Sequence, residues 1–396
     1  MNKTDIYLDN AATTPIDEAV QKLIYKSNRI FYGNPSSLHK QGRLAKKQIE
    51  IARAKIARHL NTKHDEIIFT GSGTESDNLT ILGIARSNQH HGKHIIISAI
   101  EHKAVLESAN RLKEEGFTVS YMPVDEEGII DVNELKNLIR DDTILVSVMY
   151  ANNEIGTIQP IHEIAKKLLP FKEKTGYPLF HTDACQAAGT LSLNTQELGV
   201  DLLTLNGSKI YGPKGVGCLY IRQGCLIQAQ IVGGDQESHK RAGTENVSLI
   251  IALAEALDIA VSKQEAENTR LTKLRDYLIN KIRKSIQETR LNGHPTKRLP
   301  NNINFSFAGI EGESLVLLLD QAKIYCSTGS ACSSLDLSPS HVLLAIGLTS
   351  ELAHGSLRMT LGRSTTKKDL DVTVSELTRI VSHLRKISAI KIYDKK

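Results

Sequence analysis

Four polar residues each follow a short run of β-branched character: His102 after 94–99, Asn153 after 143–150, Asp183 after 178–182 and Lys209 after 201–205. Open parallel sheets bind ligands beyond the carboxyl ends of their strands, so if these runs are parallel strands the four side chains converge on one edge. The segment Gly71-Ser72-Gly73-Thr74-Glu75-Ser76 follows a fifth run, 66–70, and opens a helix-period stretch. Its glycines permit close backbone approach, and a helix N-terminus offers N–H groups and a favourable dipole to a phosphate. The segment matches neither Walker A nor G-x-G-x-x-G, and most Gly/Ser-rich turns of this kind are only turns. Its neighbours give it meaning. A lysine able to form a Schiff base and an aspartate able to pair with a pyridinium nitrogen point to a phosphorylated aldehyde cofactor.

The elements that must position these residues alternate. The runs 66–70, 94–99, 118–124, 143–150, 178–182 and 201–205 are separated by helix-period stretches near 74–86, 103–115, 131–140, 161–174 and 195–198. This βαβ rhythm predicts an α/β fold with a mostly parallel, doubly covered sheet. A long, charged, helix-period stretch over 246–289 reads as a bridge. After it come strands near 302–307, 323–326 and 356–361 and helices near 313–320, 339–346 and 367–386, the texture of a smaller α+β domain. At 396 residues the chain exceeds what one core usually organises. The expected division is a large domain over 15–260 and a small one built from 1–14 and 261–396.

Composition excludes several classes. The hydrophobic share of 40% and charged share of 23% are globular averages. The net charge of +5 (49 basic against 44 acidic residues) is spread over mixed-sign helices, so it does not suggest direct nucleic-acid binding. No apolar run approaches the length of a membrane span, and the N-terminus shows no targeting pattern, so a cytoplasmic protein is expected. Five cysteines are too few and scattered for a disulfide framework. Cys332 lies among small polar residues, 327–334, in what reads as a loop. Cys185 and Cys218 read as buried thiols, and Cys326 as a core thiol at a strand end rather than a metal half-site. His90, His91 and His94 have no Cys or carboxylate at ligand spacing and read as a loop.

Motifs in order along nearly the whole chain carry a resemblance. They are Tyr-Leu-Asp-Asn-Ala-Ala-Thr-Thr-Pro at 7–15, Gly-Asn-Pro-Ser-Ser at 33–37, Glu-His-Lys-Ala-Val at 101–105 and Asn-Asn-Glu-Ile-Gly at 152–156. His-Thr-Asp-Ala-Cys-Gln at 181–186, Lys-Ile-Tyr-Gly-Pro-Lys-Gly at 209–215, Gly-Thr-Glu-Asn at 243–246 and Ser-Thr-Gly-Ser-Ala-Cys-Ser-Ser at 327–334 continue the series. The chain resembles cysteine desulfurases of the NifS/IscS type, in the class V aminotransferase family of fold-type-I pyridoxal-phosphate enzymes.

That resemblance implies pyridoxal 5'-phosphate held as a Schiff base on Lys209, with Asp183 on the ring nitrogen and His102 over the ring. Asn153 and Gln186 would contact the ring, and Gly73, Thr74, Asn206 and Ser208 the phosphate. Thr244 would reach the phosphate of a neighbouring subunit, which implies a homodimer with shared active sites. Arg358, helped by Asn34, would bind the carboxylate of L-cysteine. Cys332, as thiolate, would attack the substrate sulfur and leave L-alanine and an enzyme persulfide. The sulfur would pass to an acceptor protein of iron–sulfur cluster assembly or tRNA thiolation. The plainer alternatives are a surface lysine at 209, a satisfied loop histidine at 102 and a structural ion pair at Arg358. A selenocysteine lyase, another pyridoxal-phosphate transaminase or lyase, and a degenerate non-catalytic subunit are the competing functions. Two departures from the family pattern stand out. Where relatives read Ser-x-His-Lys this chain has Asn206-Gly207-Ser208-Lys209, and where they read Gln-Glu-Arg-Gly-x-Arg it has Gln236-Glu237-Ser238-His239-Lys240-Arg241.

Overall fold

The structure is a computed structural model that describes residues 5–329 and 338–388. Its strands are β1 (Ile6–Tyr7), β2 (Ile67–Thr70), β3 (His94–Ser98), β4 (Thr118–Met122), β5 (Thr143–Ser147), β6 (Leu179–Asp183), β7 (Leu202–Asn206), β8 (Gly217–Ile221), β9 (Thr289–Leu291), β10 (Asn302–Phe307), β11 (Ile324–Tyr325) and β12 (Ser356–Thr360). A seven-stranded sheet has the order β2-β8-β7-β6-β5-β3-β4. The run from β7 to β4 is parallel, and β8 lies antiparallel to both β7 and β2.

Both faces of this sheet are covered, which is why its inner strands are buried and rich in apolar residues. The strand period of two sorts their side chains. Ile68, Ile95, Ile97 and Leu202 point into one core, shared with the helices Gly73–Asn88 and Lys103–Glu114. Ile67, Phe69, Ile96 and Leu203 point into the other, shared with Lys40–Leu60, Ile161–Thr175 and the start of Val247–Ser285. That last helix has 39 residues, about 58 Å at 1.5 Å per residue. Ala260 belongs to the large-sheet core, whereas Leu271, Leu278 and Ile282 belong to a separate core over the antiparallel sheet β12-β10-β9.

The helix expected over 131–140 shrinks to Leu135–Leu138. Asp131 Oδ1 accepts from Asn133 N–H at 2.9 Å, a local turn that competes with helix start. Strand β8 and the helices Glu18–Ile30 and Lys40–Leu60 are additions to the sequence reading.

One contact outside the sheet shapes the departing loop at 236–241. Glu237, Ser238 and His239 have φ of 48°, 54° and 63°, a left-handed triplet that costs L-residues energy. A buried bidentate pair holds it: Arg53 Nη1 and Nη2 each donate to Glu237 at 2.8 Å, and Phe69 N–H donates to the same carboxylate. Removing one partner strands the other charge in the interior. Arg53→Ala is therefore expected to lower stability by about 3–5 kcal/mol, read as a lower urea midpoint, with faster proteolysis at 236–241.

Candidate active site

Lys209 reaches its position because β7 turns back antiparallel into β8, Asn206 pairing with Gly217. A single helical turn, Gly207–Lys209, caps the end of β7 and aims the lysine at the sheet edge. Asp183 ends β6, Asn153 follows β5, and His102 precedes the helix Lys103–Glu114. All four line one cavity of about 300 Å³, within the range of small-molecule sites. Gly73, Thr74, Gln186, Asn206 and Arg358 line it too.

One end of the cavity is the start of the helix Gly73–Asn88. Ser72 caps it, its Oγ accepting from Glu75 N–H at 3.1 Å. Position 73 must lack a side chain, since a Cβ there would lie 2.8 Å from the Cys185 sulfur. Asn206 Oδ1 accepts from both the backbone N–H and the Oγ of Ser208, at 2.9 and 3.0 Å. The carboxamide is thereby oriented with its NH₂ toward the Gly73 turn. Ser208 itself does not line the cavity. The second departing segment is anchored as well: Arg241 Nε donates to Glu75 at 2.8 Å, and Glu75 accepts from Gly71 N–H.

Carboxylates crowd the middle. Asp183 Oδ1 accepts from Cys185 N–H at 2.8 Å. Burial first, and the Asp183 charge with it, push Asp77 and Glu101 well above the usual carboxylate range. A raised value favours the neutral carboxyl at both positions. His102 Nδ1 accepts from Ala104 N–H at 3.1 Å, which assigns the ring proton of the neutral imidazole to Nε2. Lys209 Nζ donates to the Ala12 carbonyl.

Arg358 is 3% exposed on β12. Nη2 donates to Asp9 at 2.9 Å and Nη1 to the Asn153 carbonyl at 3.1 Å. The ion pair with Asp9 is thus real, yet among the described residues Nε is buried with no hydrogen-bond partner, as are Glu101 Oε2 and Asp77 Oδ1. Orphaned polar atoms around a cavity with a helix N-terminus, a lysine and an aspartate fit a phosphorylated pyridine aldehyde beside a carboxylate-bearing substrate.

Other expected residues lie elsewhere. Asn34 and Thr244 are exposed and off the cavity wall, and Asn34 Oδ1 accepts from Ser36 N–H. Cys332 lies outside the described residues, although Gly329, three positions earlier, lines the cavity. The remaining cysteines are poor nucleophiles. Burial pushes Cys218 and Cys326 up to about 12, Cys225 to about 11, and Cys185 well above the ordinary thiol value. His94 is buried, bonded to Thr143 and Ser120, with burial lowering it to about 4. Sequence reading missed Asp77, Glu101 and Glu154 as cavity residues; the last two were visible only as members of the motifs at 101–105 and 152–156.

Comparison with known proteins agrees with this geometry. The aminotransferase class-V family matches residues 6–372. A cysteine desulfurase IscS of Dictyoglomus turgidum is 52% identical over 389 residues, covering 98% of each chain. A cysteine desulfurase IscS of Methanosarcina thermophila is 50% identical over 383 residues, 97% of this chain and 93% of the relative. A solved NifS-like protein superposes with a TM-score of 0.89 at 36% identity, covering 96% of this chain and all of the other.

Proposed function

From the premise that this chain belongs to the class-V aminotransferase family, we propose that it is a pyridoxal-phosphate-dependent cysteine desulfurase. The observation that carries the reading is the cavity, where Lys209, Asp183 and the Gly73–Thr74 helix start meet Arg358 and Gly329.

When bound, pyridoxal phosphate supplies an electron sink for the bonds at the substrate α-carbon. The helix N-terminus at Gly73 and Thr74, with Asn206 steadied by Ser208, would hold its phosphate. Asp183 would take the ring nitrogen and Lys209 the aldehyde carbon, with His102, Asn153 and Gln186 around the ring. Arg358 would orient L-cysteine through its carboxylate, using the N–H groups that Asp9 and Asn153 leave over. Lys209 then moves the proton at the substrate α-carbon, and His102 serves as a second proton carrier. The Cys332 thiolate attacks the substrate sulfur: the S–S bond forms, the Cβ–S bond breaks, and Cβ gains the proton that Cys332 gave up. The products are L-alanine and a Cys332 persulfide.

The two cores support dividing the chain into a large unit over 15–260 and a small one from 1–14 and 261–396, the latter carrying residues 326–337. An exposed Thr244, with Tyr25, Tyr32 and Val232 also exposed, suits a homodimer in which Thr244 reaches the partner's phosphate. No described helix is long and apolar enough to cross a membrane; a cytoplasmic enzyme handing sulfur to an iron–sulfur scaffold or a tRNA-thiolation protein fits this reading. Incubated with pyridoxal phosphate, L-cysteine and dithiothreitol, the protein should form alanine and sulfide in equal amounts. A protein that stays colourless with the cofactor and makes no alanine would overturn the assignment.

A further inference from the structure

Glu154 is a cavity residue to which the reaction above gives no role. It sits in the turn after β5, where Asn152 Oδ1 accepts from the N–H groups of Glu154 and Ile155 at 2.8 and 2.9 Å. Asn304 of β10 donates to the Glu154 carbonyl at 3.1 Å, fixing the turn from the other sheet. The side chain is buried, and Oε2 accepts from Ser340 Oγ at 2.6 Å. Gly329 packs against the same oxygen so closely that a Cβ there would lie 2.6 Å from it. One carboxyl thus touches the last described residue before 330–337 and sits on the third residue after it.

Resting on the desulfurase reading, we infer that Glu154 is a positioning residue for sulfur transfer, its carboxylate accepting from Ser340 and packing against Gly329, described residues on either side of the stretch bearing Cys332. The ionised form suits this arrangement. Ser340 Oγ already accepts from Leu343 N–H at 3.3 Å as the cap of the helix His341–Ala345, so its own proton is the one directed at Glu154. Burial raises Glu154 to about 7, while the Ser340 bond and the charges of Arg358, His102 and Lys103 pull it down. Raised in this way, the carboxylate is present above about pH 7 and lost as the pH falls through that value.

The test is single-turnover persulfide formation on Cys332 in the pyridoxal-phosphate-loaded enzyme, followed across about pH 5–9 (roughly two units either side of the Glu154 midpoint). In the unaltered enzyme the rate should fall below about pH 7. Glu154→Gln should slow the step roughly tenfold at high pH and flatten that inflection, with cofactor affinity and the spectrum of the bound cofactor unchanged. Ser340→Ala, which keeps the carboxyl but removes a bond that favours its ionised form, should move the inflection to higher pH. A Glu154→Gln enzyme that retains the inflection, or that loses cofactor affinity along with rate, would overturn the inference, as would an unmoved inflection in Ser340→Ala. Absence of persulfide in the unaltered enzyme would instead count against the desulfurase assignment itself.

Discussion

Cys332→Ala should abolish sulfide release from L-cysteine while leaving the visible absorbance of the bound cofactor intact. The expectation rests on what the other thiols cannot do. A thiolate is the nucleophile, and at pH 8 a thiol held near 12 is ionised to about one part in 10⁴. Cys218 and Cys326 are in that condition, Cys225 is only slightly better at about 11, and Cys185, though it lines the cavity, is pushed well above its ordinary value by burial and the Asp183 charge. No described cysteine can substitute, so the loss should reach about three orders of magnitude or more. The cofactor should stay, because its proposed ligands come from other segments. Undiminished sulfide release would remove the desulfurase reading and leave a transaminase or lyase that has no use for Cys332.

Lys209→Ala should be as damaging by a different route. Its amine lines the cavity at the end of β7, where the turn into β8 places it opposite the Gly73 helix start. On the proposed reading, losing it removes both the covalent anchor and the base at the substrate α-carbon. General acid–base steps alone contribute about 10²–10⁴-fold, so alanine formation should fall by roughly three orders of magnitude. Borohydride should fix the cofactor to a peptide containing Lys209 in the unaltered protein and to none in the variant. Fixation at another lysine, such as Lys103 of the cavity wall, would reassign the anchor.

Much of this was legible in the residues. The short β-branched runs and the helical stretches between gave the parallel core, since a strand covered on both faces is rich in apolar residues. The strand-end rule then put His102, Asn153, Asp183 and Lys209 on one edge before any coordinates. Other features were not legible. Nothing local reveals that Ser208 turns its hydroxyl onto Asn206, that Arg53 and Glu237 pair 184 positions apart, or that Asp9 shares Arg358 with the Asn153 carbonyl.

By itself, then, the sequence determined the fold class and the strand-end placement of His102, Asn153, Asp183 and Lys209, because each depends on residue type and on spacing along one element, while the cofactor and the role of Cys332 came from the resemblance. The tertiary structure alone decided how costly ionisation is for each carboxyl of the cavity and which segment ends meet there. Burial and the Asp183 charge push Asp77 and Glu101 well above the usual carboxylate range, and burial raises Glu154 to about 7 against the pull of Ser340 and Arg358. Those quantities follow from distances between side chains brought together from remote parts of the chain, and no pattern along it records them.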